Sequence, residues 1–315
     1  MNRIHRPLGI VLAGLLASHV AACASNDAQQ QATFERRVPR TVAALKAQGD
    51  ADSLAAAAEF TSKSDAQRLT LFTRAAALAP DRSDLVWLQL QECGRVEACD
   101  PTALATTLHR LDPDNGAAWA PLLDRAIRSA DTDATTKALS AIASSKRFDI
   151  YWNPSIAHLS RAVVNVHTTD LSTALTAVIG TEAALAIPAY QNLSKTCKAP
   201  ALEQSGRMDI CRKIAEVMRG GDTYITEMIG LAIAKRVWPE GSSEYADAVG
   251  ARRVGQYRMH TEGEILPASF RTDAEAQTYV TLLATHRAEQ EVALAVITAA
   301  GKSPEPPADW KEPGS

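Results

Sequence analysis

The residues whose types and spacing could carry chemistry are His260, Glu262 and Glu264, a histidine and two carboxylates close together in the chain. Such a set can hold a metal ion or exchange protons with a substrate. Either use needs a buried and pre-organised pocket, and the surrounding sequence favours an exposed loop between helices. We therefore predict neither a metal site nor a catalytic residue in this segment.

Signature motifs of common enzyme classes are missing from the sequence. It contains no Gly-x-x-x-x-Gly-Lys-Ser/Thr phosphate loop, no Gly-x-Gly-x-x-Gly, no Gly-x-Ser-x-Gly nucleophile elbow and no His-Glu-x-x-His zinc motif. A lytic transglycosylase would need a catalytic glutamate of raised pKa in a Glu-Ser context, and that dipeptide does not occur. The sequence therefore predicts no enzymatic activity and no cofactor.

The first 23 residues form a leader that ends in Val20-Ala21-Ala22-Cys23. Arg3 and Arg6 precede an apolar run from Leu8 to Ala17, which is shorter than the roughly 20 residues that a membrane-spanning helix needs. This pattern resembles the signal peptide and lipobox of bacterial lipoproteins. The resemblance implies that residues 1–22 are removed and that Cys23 is acylated. The alternative is an ordinary signal peptide in which Cys23 is incidental.

The residues after the cysteine indicate the location of the mature protein. Ala24 follows Cys23, whereas an aspartate there retains lipoproteins at the inner membrane of enteric bacteria. The resemblance therefore implies an outer-membrane anchor, with the protein facing the periplasm. Residues 23–33 are small and polar and predict a lipidated tether. Removing residues 1–22 takes away Arg3 and Arg6, which leaves 31 basic against 36 acidic side chains. The net charge of −5 does not favour nucleic acid as a partner.

Four cysteines follow the anchor, and an even number favours disulfides in an exported chain. Loop closure costs about (3/2)RT ln n, so neighbouring partners are favoured by about 2.5 kcal/mol over a bridge between distant ones. Of the three pairings that four cysteines allow, we predict Cys93–Cys99 and Cys197–Cys211. A zinc site is disfavoured because five and thirteen residues separate the pairs and no histidine lies close. A free or catalytic thiol is the remaining alternative.

A repeat of about 33 residues runs through residues 34–152. Pro80 precedes Trp87 and Pro113 precedes Trp119 at matching spacing, and Trp152 follows 33 residues after Trp119 without a preceding proline. Each proline is expected to end a helix, and each tryptophan to fill the groove between helix pairs. Because one helix pair cannot bury its apolar face alone, such units stack on one another.

This spacing resembles that of the tetratricopeptide repeat family. Leu90 follows Trp87 and Leu122 follows Trp119 at the family's interval, whereas the family's next glycine and tyrosine are replaced. The resemblance implies antiparallel helical hairpins that form a solenoid in the N-terminal half, with a concave surface for peptides or proteins. Plain helical hairpins are the alternative interpretation.

Helical spacing without the repeat continues from 153 to 302 and makes the predicted fold all-α. Asp170 and Asp222 are predicted helix N-caps, and a last helix is predicted from the capping box of Thr272 and Glu275 to just before Gly301. The tail, residues 303–315, is rich in proline and is predicted to be disordered. Trp310 within it is either mobile or a small docking contact.

The turn at Trp238, the paired cysteines and the lipobox together resemble uncharacterised lipoproteins of the Xanthomonas type, which implies a helical periplasmic fold and no activity. The first functional hypothesis is a lipid-anchored scaffold or assembly factor that binds another envelope protein or peptide. The alternative is a periplasmic immunity or inhibitor protein against a delivered toxin. An envelope hydrolase is the third hypothesis, which the missing motifs disfavour.

Overall fold

The computed structural model describes residues 36–61, 65–266 and 270–312, apart from the side chains of residues 65 and 184–189. Regular secondary structure in these ranges is helical throughout, which confirms the predicted all-α class. The predicted signal peptide, residues 1–22, and the predicted lipidation site Cys23 lie outside the described residues. Within them, no helix is both long enough and apolar enough to cross a membrane.

The helices of the N-terminal half are α1 (36–48), α2 (Ala51–Glu59), α3 (Asp65–Leu78), α4 (Ser83–Arg95), α5 (Thr102–Leu111), α6 (Ala120–Arg128) and α7 (Thr132–Ala143). Those that follow are α8 (Trp152–Asn165), α9 (Leu171–Thr196), α10 (Arg207–Arg219), α11 (Tyr224–Val237), α12 (Ser243–Ile265), α13 (Asp273–Thr285) and α14 (Glu289–Ala299). Short 3-10 helices occupy Gly116–Trp119 and Ala201–Glu203.

Consecutive helices of the N-terminal half pack against each other, as α2 does with α3, α3 with α4 and α6 with α7. Helix α3 ends two residues before Pro80 and α5 ends two residues before Pro113, as expected for a residue that cannot continue a helix. Trp87 is buried at 2% exposure. Trp119 and Trp152 are half-buried against the same core.

Helix α8 contacts helices that lie far from it in the sequence. It packs against α2 and α4 as well as against α9 and α13. In an open solenoid each repeat contacts only its neighbours. A repeat alone would therefore not bring α8 against α2 and α4. The solenoid, and a domain boundary at residue 152, stay predictions.

Both predicted disulfides are present and are confirmed. Cys93 of α4 is bonded to Cys99 in the loop before α5, and Cys197 at the end of α9 is bonded to Cys211 of α10. Cys93, Cys197 and Cys211 are fully buried. The first bond therefore ties a loop to the end of a helix, and the second holds α10 against α9.

Asp170 caps α9 as predicted, since its side chain accepts the Thr173 N–H, but the N-cap prediction for Asp222 is wrong. Thr223 caps α11 instead, because its hydroxyl accepts the Thr226 N–H. The buried Asp222 carboxylate accepts N–H bonds from Ile150 and Trp152, at 2.9 and 3.0 Å. Asp222 therefore joins the segment before α8 to the start of α11.

The single last helix predicted between Thr272 and Gly301 is wrong, because the chain forms α13 and α14 there. The predicted capping box of Thr272 and Glu275 does start α13. A second cap follows: the Glu291 carboxylate accepts the N–H groups of Arg287 and Ala288, at 2.9 and 3.2 Å. These two hydrogen bonds turn the backbone after the end of α13, and α14 then begins at Glu289.

Two predictions about exposed segments are also wrong. Residues 260–264 lie within α12 rather than in a loop. Residues 303–312 pack against α12 rather than being disordered, because Arg253, Tyr257 and Arg258 donate hydrogen bonds to tail carbonyls. Trp310 is the docking contact of this segment, with its ring 5.5 Å from that of Tyr257. Residues 313–315 lie outside the described residues.

Candidate functional site

A cavity of about 430 Å³ with both polar and apolar lining, here called the arginine cavity, lies among α10, α11, α12 and α14. Its wall includes the basic side chains of Arg219, Arg258 and Arg287 and the acidic side chain of Glu227. Glu305 of the C-terminal tail supplies part of the wall. Glu291 also lines the wall, so the cavity combines three arginines with three acids and suits a polar or charged ligand.

Glycines allow the helices around the arginine cavity to approach closely. A Cβ added to Gly221, in the turn between α10 and α11, would lie 2.4 Å from Thr226 Cγ2 and 2.7 Å from the Phe148 carbonyl oxygen. A Cβ added to Gly255 of α12 would lie 2.4 Å from Met228 Cε. The turn after Arg219 therefore depends on glycine to reach its position.

The arginines of the cavity differ in how firmly they are held. Arg287 Nη1 lies 2.7 Å from Asp149 Oδ1, and the Asp149 side chain is only 5% exposed. Arg219 Nη2 lies 2.7 Å from Asp247, which is 60% exposed, and Arg258 Nη2 lies 2.6 Å from Glu305, which is 64% exposed. Exposed ion pairs contribute about 0–1 kcal/mol. Arg219 and Arg258 can therefore exchange these carboxylates for a ligand at little cost.

Glu227 and Gln290 lie side by side in the cavity wall. Gln290 Nε2 donates a hydrogen bond of 3.1 Å to Glu227 Oε2. Burial raises the pKa of Glu227, and this hydrogen bond opposes the rise. Within the described part of the chain the buried Gln290 Oε1 has no hydrogen-bond partner. This unpaired oxygen is buried, so it is not exposed to the space of the cavity.

A second layer of acids lies between the cavity and the core. Glu289 at the start of α14 accepts the Tyr224 N–H at 2.8 Å, and burial raises its pKa. Burial, with the negative charge of Glu289, raises the pKa of Glu262 to about 8. Glu262 is therefore largely protonated at neutral pH. His260 and Glu264, by contrast, pair with each other on the surface at 3.3 Å.

Another group of buried ionisable side chains contains Glu59, Glu92 and Glu182, which come from α2, α4 and α9. Arg68 Nε lies 3.2 Å from Glu92, and Arg68 Nη2 lies 3.7 Å from Glu59. Burial raises the pKa of Glu59 to about 7 and that of Glu182 well above its ordinary value. Among the described residues, Glu182 Oε1 has no hydrogen-bond partner.

The residues singled out from the sequence do not meet at the arginine cavity. Cys93–Cys99 ties a loop to α4, Cys197–Cys211 joins the end of α9 to α10, and Pro80 and Pro113 lie in turns. The Trp152 backbone is bonded to Asp222, and Trp87 lies in the core. In the ranges that the structure describes, no three histidine, cysteine, aspartate or glutamate side chains are arranged to hold a metal ion.

The cavity residues were missed from the sequence because they come from separate helices and share no motif. The one local signal is Arg219 directly before the Gly220-Gly221 pair, which predicts only a break between helices.

No family model matches the chain, and neither the curated proteins nor the solved structures contain a significant match. Function has therefore to be inferred from the sequence and the structure themselves.

Proposed function

We propose that this chain is a lipid-anchored scaffold or assembly factor of the cell envelope that binds another envelope protein or peptide. The arginine cavity carries the proposal. Arg219 and Arg258 of its wall pair with exposed carboxylates, and a guanidinium group binds a carboxylate through two parallel hydrogen bonds. Acidic side chains of a partner can therefore replace Asp247 and Glu305 without leaving a buried charge unpaired.

The leader supports the envelope location and limits where the partner lies. If Cys23 is acylated, about ten polar residues separate the lipid from the helical body. At roughly 3.3 Å per residue, this tether reaches at most about 35 Å. We therefore place the partner close to the periplasmic face of the membrane, the outer membrane by the residue that follows Cys23. The proposal includes no catalytic step and no cofactor.

Charge reversal at the cavity tests the proposal. Arg219→Glu introduces a carboxylate where the partner's acid is expected, so repulsion should reduce recovery of the partner roughly tenfold or more. Arg125→Glu is the matched control, because Arg125 also pairs with an exposed aspartate, Asp100, but in the N-terminal half. The measurement is quantitative co-purification from crosslinked envelopes with partner identification by mass spectrometry. Equal recovery with both variants would refute a partner site at the cavity.

A further inference from the structure

The C-terminal tail lies along α12 through contacts that involve its backbone more than its side chains. Arg253 Nη2 donates to the carbonyl oxygens of Pro307, Ala308 and Trp310. Further along the same helix, the Tyr257 hydroxyl donates to the Ser303 carbonyl at 3.2 Å, and Arg258 Nε donates to the Pro304 carbonyl at 3.0 Å. The α12 face thus contacts a series of tail carbonyls, three of which come from a turn that the Trp310 N–H closes on the Pro307 carbonyl at 3.0 Å.

Proline suits the segment to this kind of contact. Pro304, Pro306 and Pro307 have no N–H group, so their peptide units offer acceptors without donors. Proline also restricts its own backbone φ, which lowers the conformational entropy that the segment loses on docking. The rings of Trp310 and Tyr257 meet edge to face with interplanar angle 82°, an arrangement that aromatic pairs favour.

Charge complementarity adds specificity to the backbone contacts. The tail segment from Ser303 to Glu312 contains Glu305, Asp309 and Glu312 against Lys311, a net charge of −2. Glu305 lies 2.6 Å from Arg258 Nη2, and Glu312 accepts a 2.6 Å hydrogen bond from Gln256. The same Glu305 forms part of the wall of the arginine cavity. The tail therefore places an acid where the proposed partner would place its own.

We infer that the α12 face formed by Arg253, Gln256, Tyr257 and Arg258 is a binding site for acidic, proline-containing segments of a partner protein, and that residues 303–312 occupy it until such a segment displaces them. The inference rests on the proposed function, since it names the class of segment that the scaffold binds. A tethered tail competes at an effective concentration in the millimolar range, so the partner must bind tightly or at several points.

A peptide-binding measurement on the full chain tests this competition. The probe is a fluorescein-labelled peptide with the sequence of residues 302–312, followed by fluorescence anisotropy. One receptor is the unsubstituted chain, and the other is the full chain with Glu305→Gln and Trp310→Ala, which weaken its own tail. We expect the dissociation constant of the peptide to be at least roughly ten times lower for the weakened-tail receptor than for the unsubstituted chain. The weakened tail occupies less of the site and competes less with the peptide.

Further substitutions in the weakened-tail receptor locate the site. Arg253→Ala should abolish peptide binding, and Arg258→Ala gives the same test if the first variant does not fold by circular dichroism. Arg252→Ala is the matched control, because Arg252 makes none of the tail hydrogen bonds described above. Equal affinity of the two receptors, or no binding to a folded weakened-tail receptor, would overturn the inference. So would a stable dimer of the unsubstituted chain with exchanged tails, which would assign the site to a second copy.

The two proposals fail in distinguishable ways. If Arg219→Glu still loses the partner while the peptide does not bind, the scaffold proposal stands and the inference about the α12 face is overturned. If the peptide binds as expected but Arg219→Glu and Arg125→Glu recover equal amounts of partner, the face binds peptides and the arginine cavity is not the partner site.

Discussion

Three glutamates of this protein have carboxyl groups that folding buries. Glu59, Glu182 and Glu262 lie at 4%, 7% and 9% exposure, and burial raises the pKa of each. A charged carboxylate is costly in an apolar interior, so the neutral acid is favoured there. At neutral pH, therefore, the folded protein holds protons that the unfolded chain releases.

The stability of the protein should consequently depend on pH through these acids. Because the folded pKa of Glu182 exceeds its ordinary value of 4.5, the stability it contributes is complete below that value and is lost as the pH rises towards the folded pKa. Glu182→Gln removes the ionisation. We expect the free energy of unfolding to fall less between pH 5 and pH 8 in the variant than in the unsubstituted protein, because glutamine cannot ionise.

Urea unfolding at pH 5 and pH 8 measures this difference. Glu216→Gln is the matched control, because Glu216 of α10 is exposed and the same chemical change there leaves the core untouched. A Glu182→Gln variant whose stability falls with pH as steeply as that of the unsubstituted protein would contradict the account. Sequence could not identify Glu182, because a glutamate in a helical stretch usually indicates a solvated face.

At the scale of elements, the turn between α10 and α11 organises the C-terminal half. Gly220 and Gly221 form it, and the Asp222 that follows binds the backbone of the segment before α8. The first residue of α14, Glu289, donates its N–H to the Asp222 carbonyl at 2.8 Å. The turn thus connects α8, α11 and α14.

The two glycines of this turn should differ in their tolerance of alanine. A Cβ on Gly221 would clash with Thr226 and the Phe148 carbonyl, at 2.4 and 2.7 Å, whereas a Cβ on Gly220 would meet ordinary contacts at 3.6 Å and beyond. We expect Gly221→Ala to lower the free energy of unfolding by about 1–3 kcal/mol and Gly220→Ala to change it by less than about 0.5 kcal/mol. Urea unfolding of the two variants measures these changes. Equal effects of the two substitutions would contradict the close approach of Gly221 to Thr226 and to the Phe148 carbonyl.

Features of the elements that depend on nearby residues could be predicted from the sequence. Pro80 and Pro113 end helices by their own geometry, and the disulfides join the nearest cysteines. Features that depend on distant residues could not be predicted. The role of Asp222 depends on N–H groups about seventy positions earlier. The break between α13 and α14 depends on the hydrogen bond that the Arg287 N–H donates to the Glu291 carboxylate. The same residues could also continue one unbroken helix, and helix propensity alone does not separate the two outcomes.

At the scale of the whole molecule, we propose that a membrane anchor carries a helical body whose arginine cavity binds a partner. The anchor is tested by Cys23→Ser. We expect the unsubstituted protein to stay in the membrane pellet through high-salt washing and the variant to appear in the soluble fraction, because acyl chains supply about 0.8 kcal/mol per buried CH₂. Ser25→Ala, which keeps the cysteine, is the control. Retention of the Cys23→Ser protein in washed membranes would rule out lipid anchoring.

The most direct test of the account is site-specific photocrosslinking in intact cells. A photoreactive amino acid replaces Ala251, in the wall of the arginine cavity, or Thr136, exposed on α7 in the N-terminal half. The account predicts a discrete adduct with one envelope protein from position 251, none from position 136, and loss of the adduct when Arg219→Glu is added. No adduct from position 251, or the same adduct from both positions, would contradict the claim that the arginine cavity binds the partner.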